Sequence, residues 1–147
     1  LVNRVDHSQS GAVMAFRILD HMDMDAADIA TVVTAIGNHD EGNGVPVNAV
    51  AAALILADKS DVRRNRVRNR DMAAFDIHDR GNYSGESSRL LVLPEEKVAR
   101  LELTVDTQFS SIMDFFEIFM KRMLLCRRAA ERLGLRFQLT INGQQLI

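Results

Sequence analysis

The chain has 147 residues, a length that suits one domain, and with 47 % apolar and 26 % charged residues its composition is that of an ordinary globular protein. A net charge of −2 argues against general nucleic-acid affinity, so any basic character is local. The single cysteine, Cys126, leaves no internal disulfide framework, and no apolar stretch nears the roughly 18 residues a membrane helix needs. Cys126 lies in an apolar helix pattern and is expected to be a buried, inert thiol, which fits a reducing, cytoplasmic compartment, and no signal peptide is expected. The chain starts at Leu1 without Met and runs straight into what reads as the middle of a domain, so a longer parent protein is expected.

In chain order, a first helix begins near Ser8, with Asp6 or Ser8 as N-cap and an apolar stripe through Val13, Met14, Phe16 and Ile18. His21 falls in its last turn, where a cation suits the helix dipole. Asp25 caps a second helix whose buried stripe is Ile29, Val32, Val33 and Ile36. Gly37 weakens that helix ahead of Asn38-His39-Asp40-Glu41, and Gly42, Gly44 and Pro46 make a loop. Val47 or Asn48 opens a third helix, around which the first two are expected to pack.

The third helix carries the run Val50 to Ala57, apolar all round and therefore expected to be buried. Asp58 ends the run, and a carboxylate there is costly unless a cation or several donors meet it. If the helix continues, Lys59, Arg63, Arg66 and Arg70 share one basic face. After an irregular connection, Leu90–Leu93 and the alternating segment around Leu101, Leu103 and Val105 read as a hairpin. The longest helix follows, opened by Ser111 with Asp114 and closed by Gly134. Its core stripe is Ile112, Phe116, Phe119, Met123, Ala130 and Leu133, widened by Met113, Phe115, Met120 and Leu124. Phe137, Leu139 and Ile141 alternate as a third strand, Asn142-Gly143 is a turn, and Leu146-Ile147 is a short last strand. The fold class expected is α+β: a helical portion (1–71), an irregular connection (72–89) and a β-β-α-β subdomain (90–147) with its helix packed on a short sheet.

Of the four histidines, His21 reads as structural and His78 falls in the irregular connection. His7 and His39 each stand at a helix edge beside acidic neighbours and can face Asp58 if the three helices converge. Imidazole with carboxylate suits a first-row divalent ion.

The segment Gly37-Asn38-His39-Asp40-Glu41-Gly42, with Pro46 and the run Ala51 to Val62, resembles the second half of an HD-superfamily metal-dependent phosphohydrolase. Met113-Asp114-Phe115-Phe116-Glu117-Ile118-Phe119 and Ile141-Asn142-Gly143 resemble the α/β extension of one bacterial branch of that family, so the resemblance covers essentially the whole chain. It implies an all-helical domain in which a first histidine, a His-Asp doublet and a late aspartate bind metal. Asp58, in Ala57-Asp58-Lys59, matches the late aspartate, and His7 and His39 match the additional histidines that support a second ion. The first histidine and the doublet are absent here and are expected upstream of Leu1, and Asn38 stands where two-metal members often have histidine.

The resemblance further implies a divalent cofactor (Mn, Mg, Fe, Ni or Zn) and hydrolysis of a nucleotide or other small phosphate ester. The metal would lower the pKa of a bound water for in-line attack. Lys59, Arg63 and Arg66 would hold the phosphoryl oxygens, and Asp40 or Glu41 would take a proton. The partners expected are a small phosphate-containing substrate and, through the wide apolar face of the last helix, a second copy; no nucleic acid and no membrane. The alternative is a catalytically incomplete HD-like module that binds nucleotide or regulates by dimerising. A nucleic-acid role for Lys59 to Arg70 is disfavoured because no aromatics interleave the charges.

Overall fold

A computed structural model describes residues 5–62, 83–108 and 111–147. Three helices, α1 (His7–His21), α2 (Ala26–Gly37) and α3 (Ala49–Ser60), precede strands β1 (Gly85–Leu93) and β2 (Val98–Val105), helix α4 (Ile112–Arg132), and strands β3 (Arg136–Ile141) and β4 (Gln144–Gln145). The class is α+β, a helical portion followed by a helix on a small mixed sheet. The sheet order is β1-β2-β3-β4, antiparallel, then parallel, then antiparallel. β2 and β3 are parallel neighbours, which requires a long crossover, and α4 provides it.

Alternation decides which face of the sheet is buried. Leu101, Leu103 and Val105 on β2 and Phe137, Leu139 and Ile141 on β3 are buried, whereas Arg100, Glu102, Thr104, Gln138 and Thr140 lie on the other face. α4 covers the apolar face with Phe115, Phe119, Met123, Cys126 and Ala130, and α3 adds Ala52, Ile55, Leu56 and Val62 to the same core. Each of the large side chains contributes about 1.5–3 kcal/mol by leaving water. Helix ends follow local chemistry. Asp25 accepts from the Ala27 N–H at 2.8 Å, and Asn48 accepts from the Ala51 N–H at 2.8 Å. Gly134 ends α4 at φ 73°, and Asn142-Gly143 turn at φ 50° and 80°, the signature of a two-residue hairpin turn.

Several expectations are corrected. The predicted stripe of α1 is exposed: Val13, Met14, Phe16 and Ile18 are 45–63 % accessible, and Ser8 and Ala12 are the buried residues. The reason is a close helix contact made by small side chains. A Cβ on Gly11 would stand 3.4 Å from Ile36 Cγ2, and one on Gly37 3.8 Å from Ala12 Cβ. α1 packs mainly on α2, α2 on α3, and α3 on α4 and β1, so the helices form a row and do not surround α3. In α2, Ile29 and Ala35 are buried while Val32, Val33 and Ile36 are half-buried.

α3 has a wet side despite its apolar sequence, with Val50, Ala53 and Ala57 exposed. Asp6 precedes α1 with a left-handed backbone and no side-chain cap. β1 starts at Gly85, earlier than the expected 90, because Ser87 and Ser88 pair with Thr104 and Leu103 at the sheet edge. The last strand opens at Gln144–Gln145, because the two-residue turn sets Gln144 opposite Ile141, and Leu146 and Ile147 continue its backbone bonding to Leu139 of β3. On α4, Phe115 joins the core while Met113, Met120 and Leu124 are exposed. The side chains of Ile112 and Asp114 and the segment 63–82, which includes His78, lie outside the described residues.

Candidate functional site

His7 opens α1 and His39 follows α2, and the packing of those two helices brings the rings together. His7 Nε2 and His39 Nε2 are 3.2 Å apart, and the rings meet edge to face with centroids at 5.0 Å. His39 Nδ1 lies 2.6 Å from the Ile36 carbonyl oxygen. A carbonyl only accepts, so Nδ1 carries a proton, and Nε2 faces His7. This fixed ring orientation is the usual support for a metal-binding histidine. Asp40 Oδ1 is 3.9 Å from His7 Nε2, and Asp40 Oδ2 accepts the Gly42 N–H at 3.2 Å.

A second cluster lies on the other side of the same loop. Lys59, 4 % exposed, sets its Nζ 2.7 Å from Asp58 Oδ2 and 3.7 Å from Glu41 Oε1. Arg122 of α4 donates from Nε to Glu41 Oε1 at 2.8 Å, and its guanidinium lies 5.0 Å from the centre of the Phe119 ring. A chain of alternating charge therefore runs Asp58, Lys59, Glu41, Arg122. Cys126, one turn beyond Arg122, is fully buried beneath it, and burial pushes its thiol up to about 12 from an ordinary 9.0.

Asp58 is the half-exposed residue at the end of α3, and Lys59 is the buried one, the reverse of the sequence expectation. One residue turns a helix by about 100°, and the α4 contact selects Lys59 because its charge finds two carboxylates there. Lys59 is thus not part of an exposed basic face. α3 also stops at Ser60, where Ser88 Oγ bonds the Ser60 carbonyl and Val62 turns into the core at 1 % exposure. The continuous helix expected through Arg63, Arg66 and Arg70 is therefore broken at Asp61, and those three residues lie outside the described segments.

Whether the donors fit a divalent ion is a matter of distance. Two nitrogens at about 2.0–2.1 Å from one ion, at angles between octahedral and tetrahedral, stand about 2.9–3.4 Å apart. The His7–His39 separation of 3.2 Å falls in that range. Asp58 does not join them, and among the described residues no three His, Cys, Asp or Glu side chains are grouped to hold one ion. The same 3.2 Å is that of a direct hydrogen bond between the two Nε2 atoms, one donating and the other accepting, so the distance is compatible with two donors of one ion without requiring it. His21 lies exposed in the last turn of α1, with its Nδ1 2.8 Å from the Arg17 carbonyl. The residue that sequence reasoning missed is Arg122, whose only signal was a cation on the buried side of a Phe-rich helix.

No protein-family model matches the chain, and neither a curated protein nor a solved structure matches it. Among the described residues no helix is long and apolar enough to cross a membrane.

Proposed function

We propose that this chain is the C-terminal part of a metal-dependent phosphohydrolase of HD type, acting on a nucleotide or another small phosphate ester. The observation that carries the reading is the meeting of His7 and His39 through their Nε2 atoms at 3.2 Å, with His39 oriented by the Ile36 carbonyl. In this reading His7 and His39 hold one divalent ion and Asp58 contributes to another. The bound ion supplies a water acidic enough to attack phosphorus at neutral pH.

The chain's own residues do the rest. His39 keeps its proton on Nδ1, and His7 must hold its own on Nδ1 to free Nε2. Asp40, which lies 3.9 Å from His7 Nε2, is assigned the proton that the attacking water gives up. Glu41 and Lys59 neutralise one another and brace the loop in place of touching substrate. Arg63 and Arg66 remain the cations assigned to the phosphoryl oxygens.

The test is nickel and manganese titration of the chain by calorimetry, with metal content by mass spectrometry. His7→Ala and His39→Ala should each weaken nickel binding tenfold or more. Asp58→Asn should lower manganese content while leaving the nickel site intact. Nickel affinity unchanged in both histidine variants sinks the reading. A second reading, a regulatory module that dimerises, is favoured by the exposed Val13, Met14, Phe16 and Ile18 on α1. It predicts a concentration-dependent dimer in sedimentation velocity that Phe16→Glu abolishes.

A further inference from the structure

The loop between α2 and α3, residues 38–48, carries His39 and Asp40 and is tied down at both ends by α4. Near its start, Glu41 Oε1 accepts from Arg122 Nε at 2.8 Å. Near its end, Arg132 Nη2 donates to the Val47 carbonyl at 3.1 Å. The two arginines are ten residues apart on one helix, about 15 Å at the α-helical rise, so α4 spans the loop as a rigid bar. The Arg122 guanidinium is itself held against the ring of Phe119, which is 2 % exposed in the core. Lys59 adds a third tie, 3.7 Å from Glu41, and through it Glu41 is linked to Asp58.

We infer that Arg122 is a positioning residue for the histidine pair: its bond to Glu41 sets the His39–Asp40 backbone where His39 Nε2 meets His7 Nε2. This inference rests on the reading of His7 and His39 as a metal pair for its functional meaning, but its geometry is independent of any ion. Glu41 is two residues from His39, so rotation of a freed loop about the intervening bonds moves the ring directly. The α/β part thereby has a function at the site of the helical part, where the sequence suggested only an appended subdomain. Supports of this kind typically change metal affinity 10–100-fold when removed.

The experiment reads the imidazole nitrogens by long-range proton–nitrogen NMR of the metal-free chain at pH 8, then titrates nickel by calorimetry. In the wild-type chain His39 should show the Nδ1-protonated tautomer. Arg122→Gln and Glu41→Ala should each shift the His7 and His39 ring signals and weaken nickel binding about tenfold. The double variant should do no more than Glu41→Ala alone, because that variant already removes the bond. Arg122→Lys, which keeps the cation, should recover part of the loss. Arg127→Gln, which breaks the exposed Arg127–Glu131 pair on the same helix, should leave the rings unmoved.

If Arg122→Gln fails to fold, Glu41→Ala on the loop carries the test alone. Ring signals unmoved in Glu41→Ala overturn the inference whatever nickel does. Ring signals that move as expected in a chain that binds no nickel uphold the positioning role and remove the metal reading.

Discussion

Gly44→Ala tests the claim that the His39–Asp40 loop has one tightly determined backbone path. A Cβ built on Gly44 would stand 2.3 Å from the Asp40 carbonyl oxygen and 2.7 Å from the Asn38 carbonyl oxygen. Ordinary carbon–oxygen contact is about 3.2 Å or more, and both obstacles are backbone, so neither can swing away as a side chain would. The loop must open by roughly 1 Å, which also breaks the Gly44 N–H bond to the Asp40 carbonyl, now 2.7 Å long. Overpacking of this kind costs about 1–3 kcal/mol and the lost bond about 1 kcal/mol more, so about 2–4 kcal/mol in all.

Gly42→Ala is the matched control. Its Cβ would meet only Asp40 Oδ2, at 3.3 Å, and that atom sits at the end of a side chain that can turn. Urea unfolding followed by circular dichroism should place Gly44→Ala well below wild type and Gly42→Ala within about 0.5 kcal/mol of it. Gly44→Ala should also separate the histidine rings. Equal urea midpoints for the two variants would refute the reasoning, because the loop would then have slack where the structure shows none.

Lys59→Met should destabilise the chain by about 1–3 kcal/mol in the same urea assay, below the roughly 3–5 kcal/mol seen when fully buried pairs are broken, because Asp58 and Glu41 are each about a third exposed. A more stable Lys59→Met would show that the ammonium is tolerated there and contributes nothing. Cys126 predicts an alkaline loss of stability. Below about pH 9 both folded and unfolded chains hold the thiol proton; from there to about 12 the unfolded chain ionises and the folded one does not. Stability should therefore fall by about 1.4 kcal/mol per pH unit above 9 from this group, and Cys126→Ala should flatten the slope measured between pH 9 and 10.

Local signals were legible in the sequence wherever one residue's chemistry decides the outcome. Asp25 and Asn48 cap their helices because a short side-chain oxygen reaches the first free N–H groups, and no neighbour has to agree. Gly134 and Asn142-Gly143 end their elements because few residues accept positive φ. The β2 and β3 alternation named the buried face of the sheet for the same reason, since a strand has only two sides. What the sequence could not decide was which side of each helix finds a partner. α1 and α3 are apolar over more than one face, and packing chose Ser8 and Ala12 over Val13 and Phe16, and Lys59 over Asp58. The site follows that choice. His7 and His39 are 32 residues apart and meet because α1 packs on α2. Glu41 and Arg122, 81 residues apart, meet because the core shared by α3, α4 and the sheet carries α4 across the loop, a long-range contact that no local pattern encodes.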